Sequence, residues 1–345
     1  MYDWKWYLKD LHPDKDVKVF STFSCGGGST MGYKRAGFQV LGNVEIDKQM
    51  NTIYVKNHHP KYNYNMDLRD FNKLENLPEE LYNLDILDGS PPCSTFSTAG
   101  SREKAWGKEK VFREGQKKQT LDDLFFVFLD TVEKLKPKIV IAENVVGLIK
   151  GNAKGYVNAI IKRFHEIGYN VQLFKLNAAL MDVPQARERV FFIANNQGYK
   201  KLKLNFQGKP ITFGECRTLH GKPINHVKAK NTYEYLKYLQ STDKSIRDIK
   251  KRLYGKESNF TDIIFQDARI AQTLNASGQI IRGCDKTWLS DGDCRNISSF
   301  PQDFDFNGIG AQYVCGMSVP PNMMANIASE IYKQWIEPNK KQVTI

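Results

Sequence analysis

What most constrains this chain is an alternation. Up to about residue 195, short apolar runs take turns with amphipathic stretches. Val17–Phe23, Val40–Ile46, Leu84–Leu87, Lys138–Ala142, Val171–Leu176 and Val190–Ala194 read as strands. Gly32–Phe38, Thr120–Lys136 and Tyr156–Ile167 read as helices, the second stopped by Pro137 and the third by Gly168. Strands joined through helices lie side by side in the same direction, so an α/β fold with a parallel sheet is expected. After residue 196 the pattern changes to short, basic, Gly- and Asn-containing segments, and Val319–Gln334 then reads as an amphipathic helix. The 345 residues suffice for two domains.

Open sheets of this kind bind ligands outside the carboxyl ends of their strands. Four features follow predicted strands: the turn Phe23-Ser24-Cys25-Gly26-Gly27-Gly28, Glu45, the turn Pro91-Pro92-Cys93, and Glu143. The glycines let the backbone turn tightly and approach a ligand. No Gly-Lys-Ser/Thr follows them, so a nucleoside without a triphosphate fits better than ATP. Glu45 is placed to accept hydrogen bonds from ribose hydroxyls, and Asp67 from an adenine amino group. A tight strand–helix connection with no ligand is the plainer reading of the same turn. The G-x-G-x-x-G order of a nicotinamide-binding oxidoreductase is missing.

Cys93 stands after two prolines that hold its turn still, among serines and threonines rather than in an apolar run. An acid at Glu143, closing an apolar strand, costs desolvation unless it is paired or used. A thiol nucleophile and a carboxylic acid on neighbouring strand ends suit covalent catalysis with proton donation. In Pro184–Arg189, alternation along an extended segment puts Gln185, Arg187 and Arg189 on one face, as for contact with a polyanion or a base. A salt-bridged edge strand is the alternative.

The net charge is +12, and its distribution is uneven. Residues 200–260 hold fifteen lysines and arginines against five acids, interleaved with Tyr233, Tyr235, Tyr238 and Tyr254. Such a stretch is the footprint of a phosphate backbone, or else a solvated helical face. No apolar run reaches the roughly 18 residues of a membrane span. The first ten residues have no apolar core, so no signal peptide is expected. The six cysteines form no C-x-x-C pair or zinc spacing, and we expect them reduced, in a cytoplasmic protein without metal.

Taken in order, these segments resemble the cytosine-5 DNA methyltransferase family, of bacterial or phage type. The resemblance runs from about Lys18 to Gln334. It rests on the Gly-rich turn with Ala36-Gly37-Phe38, Glu45, Asp67, the Pro-Cys turn and Glu143-Asn144-Val145. It continues through Gln185-x-Arg187-x-Arg189, Thr273-Leu274-Asn275-Ala276, Phe300-Pro301-Gln302-Asp303-Phe304 and Gly316-x-Ser318-Val319-Pro320. Cys25 stands where the family usually has glycine, Pro91 where it often has phenylalanine, Ser94 in place of glutamine and Met317 in place of asparagine.

The resemblance implies a Rossmann-like, S-adenosylmethionine-dependent methyltransferase sheet domain with a smaller target-recognition domain. The domains implied are residues 1–195 for catalysis and cofactor, 196–307 for target recognition, and 308–345 returning to the catalytic domain. Cys93 would add to C6 of a cytosine flipped out of duplex DNA, and Glu143 would hold or protonate N3. Arg189 would contact O2, and Arg187 would position the loop and a phosphate. Phe23, Cys25, Gly27, Gly28, Glu45, Ile46, Asp67, Leu68, Pro91 and Ser318 would line the S-adenosylmethionine site. Ser94–Gln119 would be the loop that closes over the base. Double-stranded DNA is the expected partner, with a cognate restriction endonuclease in the same system, and a monomer is expected. A tRNA cytosine-5 methyltransferase is the alternative within the fold, and a non-catalytic DNA-binding relative is a third reading.

Overall fold

In a computed structural model, residues 2–92, 123–150, 154–225, 229–255 and 262–343 are described. Cys93 and the loop Ser94–Gln119 lie outside them. The chain divides into two compact units. One comprises Asp10–Asn177, Glu188–Asn205 and Met323–Ile345, and the other Met1–Lys9, Ala178–Arg187 and Phe206–Asn322. Among the described residues, no helix is long and apolar enough to cross a membrane.

The first unit is built on seven strands: β1 (Lys18–Thr22), β2 (Gln39–Val44), β3 (Tyr62–Tyr64), β4 (Ile86–Gly89), β5 (Ile139–Val145), β6 (Asn170–Asn177) and β8 (Glu188–Asn195). Two-residue β7 (Gln185–Ala186) belongs to the other unit. The order across the sheet is β3-β2-β1-β4-β5-β8-β6. Strand order reverses between β1 and β4, which places a crevice at their carboxyl ends. Five helices serve this sheet: α1 (Gly28–Arg35), α2 (Lys48–His58), α3 (Leu68–Lys73), α4 (Leu124–Leu135) and α5 (Lys154–Glu166).

One strand departs from the expected parallel sheet. β8 runs antiparallel to both β5 and β6. A parallel return needs a crossover of about a dozen residues, usually a helix, and the link from β6 to β8 is shorter. β5 is buried along nearly its whole length, which is why its sequence Ile-Val-Ile-Ala reads as a continuous apolar run. Beneath the sheet, Phe20, Phe71, Phe125, Phe128, Phe164 and Phe192 belong to one core with Leu87, Leu129 and Val140. Asp47 caps α2, accepting from the Gln49 and Met50 amides at 2.9 and 3.2 Å. α1 begins four residues earlier than the apolar pattern indicates, because its first turn is a glycine and polar residues of weak helix propensity.

The second unit holds a small sheet of β9 (Ile263–Phe265), β11 (Ile280–Arg282) and β12 (Thr287–Trp288), and a two-strand pairing of β7 with β10 (Ala271–Gln272). The helices Lys230–Leu236 and Ile246–Tyr254 pack Leu236, Ile246 and Ile249 against Ile264 and Ile281. Arg282 and Asp293 are fully buried and paired at 3.1 Å, with Thr218 completing the tie.

Candidate functional site

Two of the expected site residues adopt a backbone conformation that side chains rarely take. Phe23 and Cys25 have φ of 50° and 47°, and Gly27 has φ of 90°. The left-handed region costs most residues about 1–2 kcal/mol, so this turn is held against local preference. The holding groups are visible. The Gly27 amide donates to the Ser24 carbonyl at 2.8 Å. The Cys25 amide donates to Glu45 Oε2 at 2.7 Å. Gly27 admits no side chain, since a Cβ there would lie 2.0 Å from His58 Nε2.

Glu45, just past β2, is 8% exposed. Its second oxygen accepts from the Asp47 amide at 2.8 Å. Burial pushes its carboxyl up to about 7, against the pull of these amide donors. A carboxylate has about four acceptor sites, so the backbone amides of Cys25, Ile46 and Asp47 leave capacity for a ligand's hydroxyl. Asn65 fixes the backbone beneath it, donating to the Glu45 carbonyl at 2.7 Å.

Beside this acid lies a shallow cleft lined by Phe23, Val44, Ile46, Met66, Asp67, Leu68 and Leu124. The structure thus brings Phe23, Ile46, Asp67 and Leu68 to one place. Sequence reasoning missed Val44, Met66 and Leu124, which belong to elements selected for other reasons and carry no chemical signature. Asp67 caps α3 through the Arg69 amide at 2.8 Å and is paired with the Arg69 guanidinium at 3.3 Å. Apolar walls with one acid at the rim suit a flat, partly polar ring such as a purine.

Further along the sheet, Glu143 lies on β5 two residues before its end. Phe191 is its cross-strand partner on β8, and Arg189 is the diagonal neighbour on the same face. Arg189 Nε donates to Glu143 Oε1 at 2.8 Å, both side chains being largely buried. Burial lowers the proton affinity of Arg189 from its ordinary value, and the charge of Glu143 opposes that. Asn144 faces the other way and donates to the Pro91 carbonyl at 3.1 Å. It thereby ties the end of β5 to the turn after β4, a role that its place in Glu143-Asn144-Val145 did not reveal.

Arg187 and Ser318 belong to the second unit and meet there. Arg187 donates to the carbonyls of Leu274 at 3.2 Å, and Gly316 and Ser318 at 3.0 Å each. Gln185 accepts from the Leu274 amide at 3.0 Å and donates to the Ile297 carbonyl at 3.2 Å. The Ser318 hydroxyl donates to the Val314 carbonyl at 2.8 Å. Gln185 and Arg187 thus organise the segment Thr273–Asn275, whereas Arg189 serves the sheet. Among the described residues, no cluster of histidine, cysteine and acid could hold a metal ion.

A family model of C-5 cytosine-specific DNA methylases matches residues 17–333. The chain is 34% identical over 247 residues to the type II methyltransferase M.FnuDI of Fusobacterium nucleatum, covering 71% of this chain and 60% of that enzyme. It is 28% identical over 351 residues to the type II methyltransferase M.Sau96I of Staphylococcus aureus, covering 94% and 77%. The match thus spans less than two thirds of the Fusobacterium enzyme. Among solved structures, a prophage-encoded methyltransferase (E. coli) shares the fold at a TM-score of 0.65 and 19% identity, covering 92% of this chain and 99% of that one.

Proposed function

Because the chain belongs to the C-5 cytosine-specific DNA methylase family, we propose that it methylates C5 of a flipped-out cytosine within a specific sequence of double-stranded DNA, using S-adenosylmethionine. The observation that carries this reading is the Glu143–Arg189 pair at the carboxyl end of β5, tied through Asn144 to the turn that leads to Cys93. An acid and a guanidinium on one face are what a cytosine's N3 and O2 require.

The residues of the cleft fit the cofactor. Phe23, Ile46 and Leu68 offer apolar walls to an adenine, Asp67 an acceptor for its amino group, and Glu45 an acceptor for ribose hydroxyls. Cys25, Gly27 and Gly28 bring backbone close, with Pro91 completing the proposed set within this unit. When bound, S-adenosylmethionine supplies an electrophilic methyl group.

The chain's own residues prepare the base. The Cys93 thiolate forms a bond to C6, a position too weakly electrophilic for a hard nucleophile. Glu143 holds a proton at N3, so the electrons displaced from the C5–C6 double bond are drawn through C4 toward N3, and the C4–C5 enamine that results makes C5 nucleophilic. Arg189 donates to O2 and keeps Glu143 oriented. Once C5 carries the methyl group, water takes the C5 proton, the C–H electron pair re-forms the C5–C6 double bond as the C6–S bond breaks and the thiolate leaves, and Glu143 recovers the N3 proton. Arg187 positions the segments around Leu274 and Ser318.

The proposed recognition region 196–307, most of which lies in the second unit, would supply the basic surface for DNA. A monomer acting in the cytoplasm beside a cognate restriction endonuclease completes the proposal. The tRNA reading has less support, because the family model and these curated relatives concern DNA methylases and type II enzymes.

The test uses methyl-labelled S-adenosylmethionine with mixed-sequence duplex DNA and, separately, bulk tRNA, followed by nucleoside digestion. Label in 5-methylcytosine from DNA is expected, and none after Cys93→Ser. Label in tRNA alone would overturn the substrate, and an active Cys93→Ser enzyme would overturn the covalent route.

A further inference from the structure

A second acid lies deep in the same sheet, and nothing in the proposed chemistry uses it. Asp88 sits on β4, opposite Ser21 on β1 and Ile141 on β5, and is only 2% exposed. A carboxyl in such a place is costly unless hydrogen-bonded. It is hydrogen-bonded throughout. Ser21 Oγ donates to Oδ2 at 2.9 Å, and Tyr33 Oη to Oδ1 at 3.0 Å. The Ser29 hydroxyl donates as well. Thr22 Oγ1 adds a bond to the Asp88 carbonyl at 3.1 Å.

These donors come from two directions. Ser21 and Thr22 are the last residues of β1, directly before the strained turn at Phe23–Gly27. Ser29 and Tyr33 belong to α1, directly after it. Asp88 itself is one residue from the end of β4, the strand that runs into Pro91-Pro92-Cys93. One carboxyl therefore grips both arms of the proposed cofactor turn and carries the strand that leads to the nucleophile.

We propose that Asp88 is a positioning residue, which locks the cofactor turn in its binding conformation and couples it to the nucleophile strand. The inference rests on the cofactor site proposed above. The neighbours that face Asp88 are uncharged hydroxyls, except that Glu143 lies close enough for its charge to disfavour ionisation of Asp88. Tyr54 feels the same acid from α2. Burial is the main cause that pushes the Asp88 carboxyl up to about 7.

The experiment is a double-mutant cycle on cofactor affinity with the full-length protein. Asp88→Asn keeps the shape and removes the charge. Tyr33→Phe removes one donor from the far side of the lock. Direct binding of labelled S-adenosylmethionine is measured by equilibrium dialysis, and folding is checked by urea denaturation. Each single variant is expected to bind about tenfold more weakly, and the double variant hardly worse than either, because both break one lock. Additive effects, or folded variants that bind within twofold of the parent, would overturn the proposal. If Asp88→Asn does not fold, Ser21→Ala replaces it in the cycle. A parent protein that binds no S-adenosylmethionine would instead overturn the cofactor reading itself, and this inference with it.

Discussion

Glu45 and Glu143 are two carboxyls in matching places with different company. Both stand at the carboxyl end of a sheet strand, and they are buried alike, 8% and 9% exposed. Glu45 is met by backbone amides, which are dipoles. Glu143 is met by a guanidinium at 2.8 Å, which is a full charge. The dipoles do not offset the desolvation of Glu45, and its proton affinity rises to about 7. Burial alone therefore does not assign a role to an acid. What faces it does, and here one acid is prepared to receive hydroxyls while the other is held in register beside a cation.

The sharpest way to break this contrast is Glu143→Gln, which keeps shape and removes the acid. Turnover is expected to fall by about 10²- to 10⁴-fold, with cofactor affinity within about twofold. Unimpaired single-turnover methylation would take Glu143 out of the chemistry. Arg189→Ala comes next, since it leaves a buried carboxylate without its counter-charge. We expect a loss of about 3 kcal/mol in urea unfolding, and turnover lowered more than DNA affinity, which phosphate contacts dominate. A variant that loses mainly affinity would show that Arg189 touches the backbone of DNA instead.

Glu45→Gln probes the other half of the contrast. The folded state holds the Glu45 proton more tightly than the unfolded chain does. Stability therefore falls as pH rises from the ordinary value of 4.5 to about 7 and is level above. Ribose hydroxyls would donate to the ionised form, so cofactor affinity rises with pH through the same upper limit. The glutamine variant is expected to bind about tenfold more weakly at pH 8 and to show a smaller rise. Equal pH profiles would end the ribose assignment.

Cys25 tests the backbone between these acids. Cys25→Gly relieves a left-handed residue and is expected to add about 1 kcal/mol of stability without loss of cofactor binding, whereas Cys25→Val weakens both. The smallest effect concerns the second unit. Arg247 and Lys251 are exposed on the helix Ile246–Tyr254, but Arg252 is paired with buried Asp243 at 2.7 Å. Neutralising Arg247 or Lys251 is expected to reduce the salt dependence of DNA binding by about one unit of slope each, and Arg252→Gln to reduce stability instead. An unchanged slope in both the Arg247 and the Lys251 variants would place this helix off the DNA.

Much of the first unit was legible in the sequence. The six strand runs lie where β1, β2, β4, β5, β6 and β8 are found, and the α/β, Rossmann-like reading holds. The direction of β8 was not legible, because an apolar run carries no information about which way a strand points. The two arginines of Gln185-x-Arg187-x-Arg189 were expected on one face. Alternation assumes an unbroken strand, and the strand is interrupted at Arg187, between β7 and β8. Arg187 then turns to the carbonyls of Leu274, Gly316 and Ser318, while Arg189 turns to Glu143.

By itself the sequence determined the family, the class of fold, and the residue types available for chemistry, since glycines, strand-end acids and a proline-held cysteine are local features with local causes. Only the tertiary structure decided what those residues face. Glu45 opposite amides, Glu143 opposite Arg189 and Asp88 gripping both arms of the turn all depend on strands and helices far apart in the chain. An electrostatic environment is the sum over every neighbour in space, and no spacing along the chain encodes it.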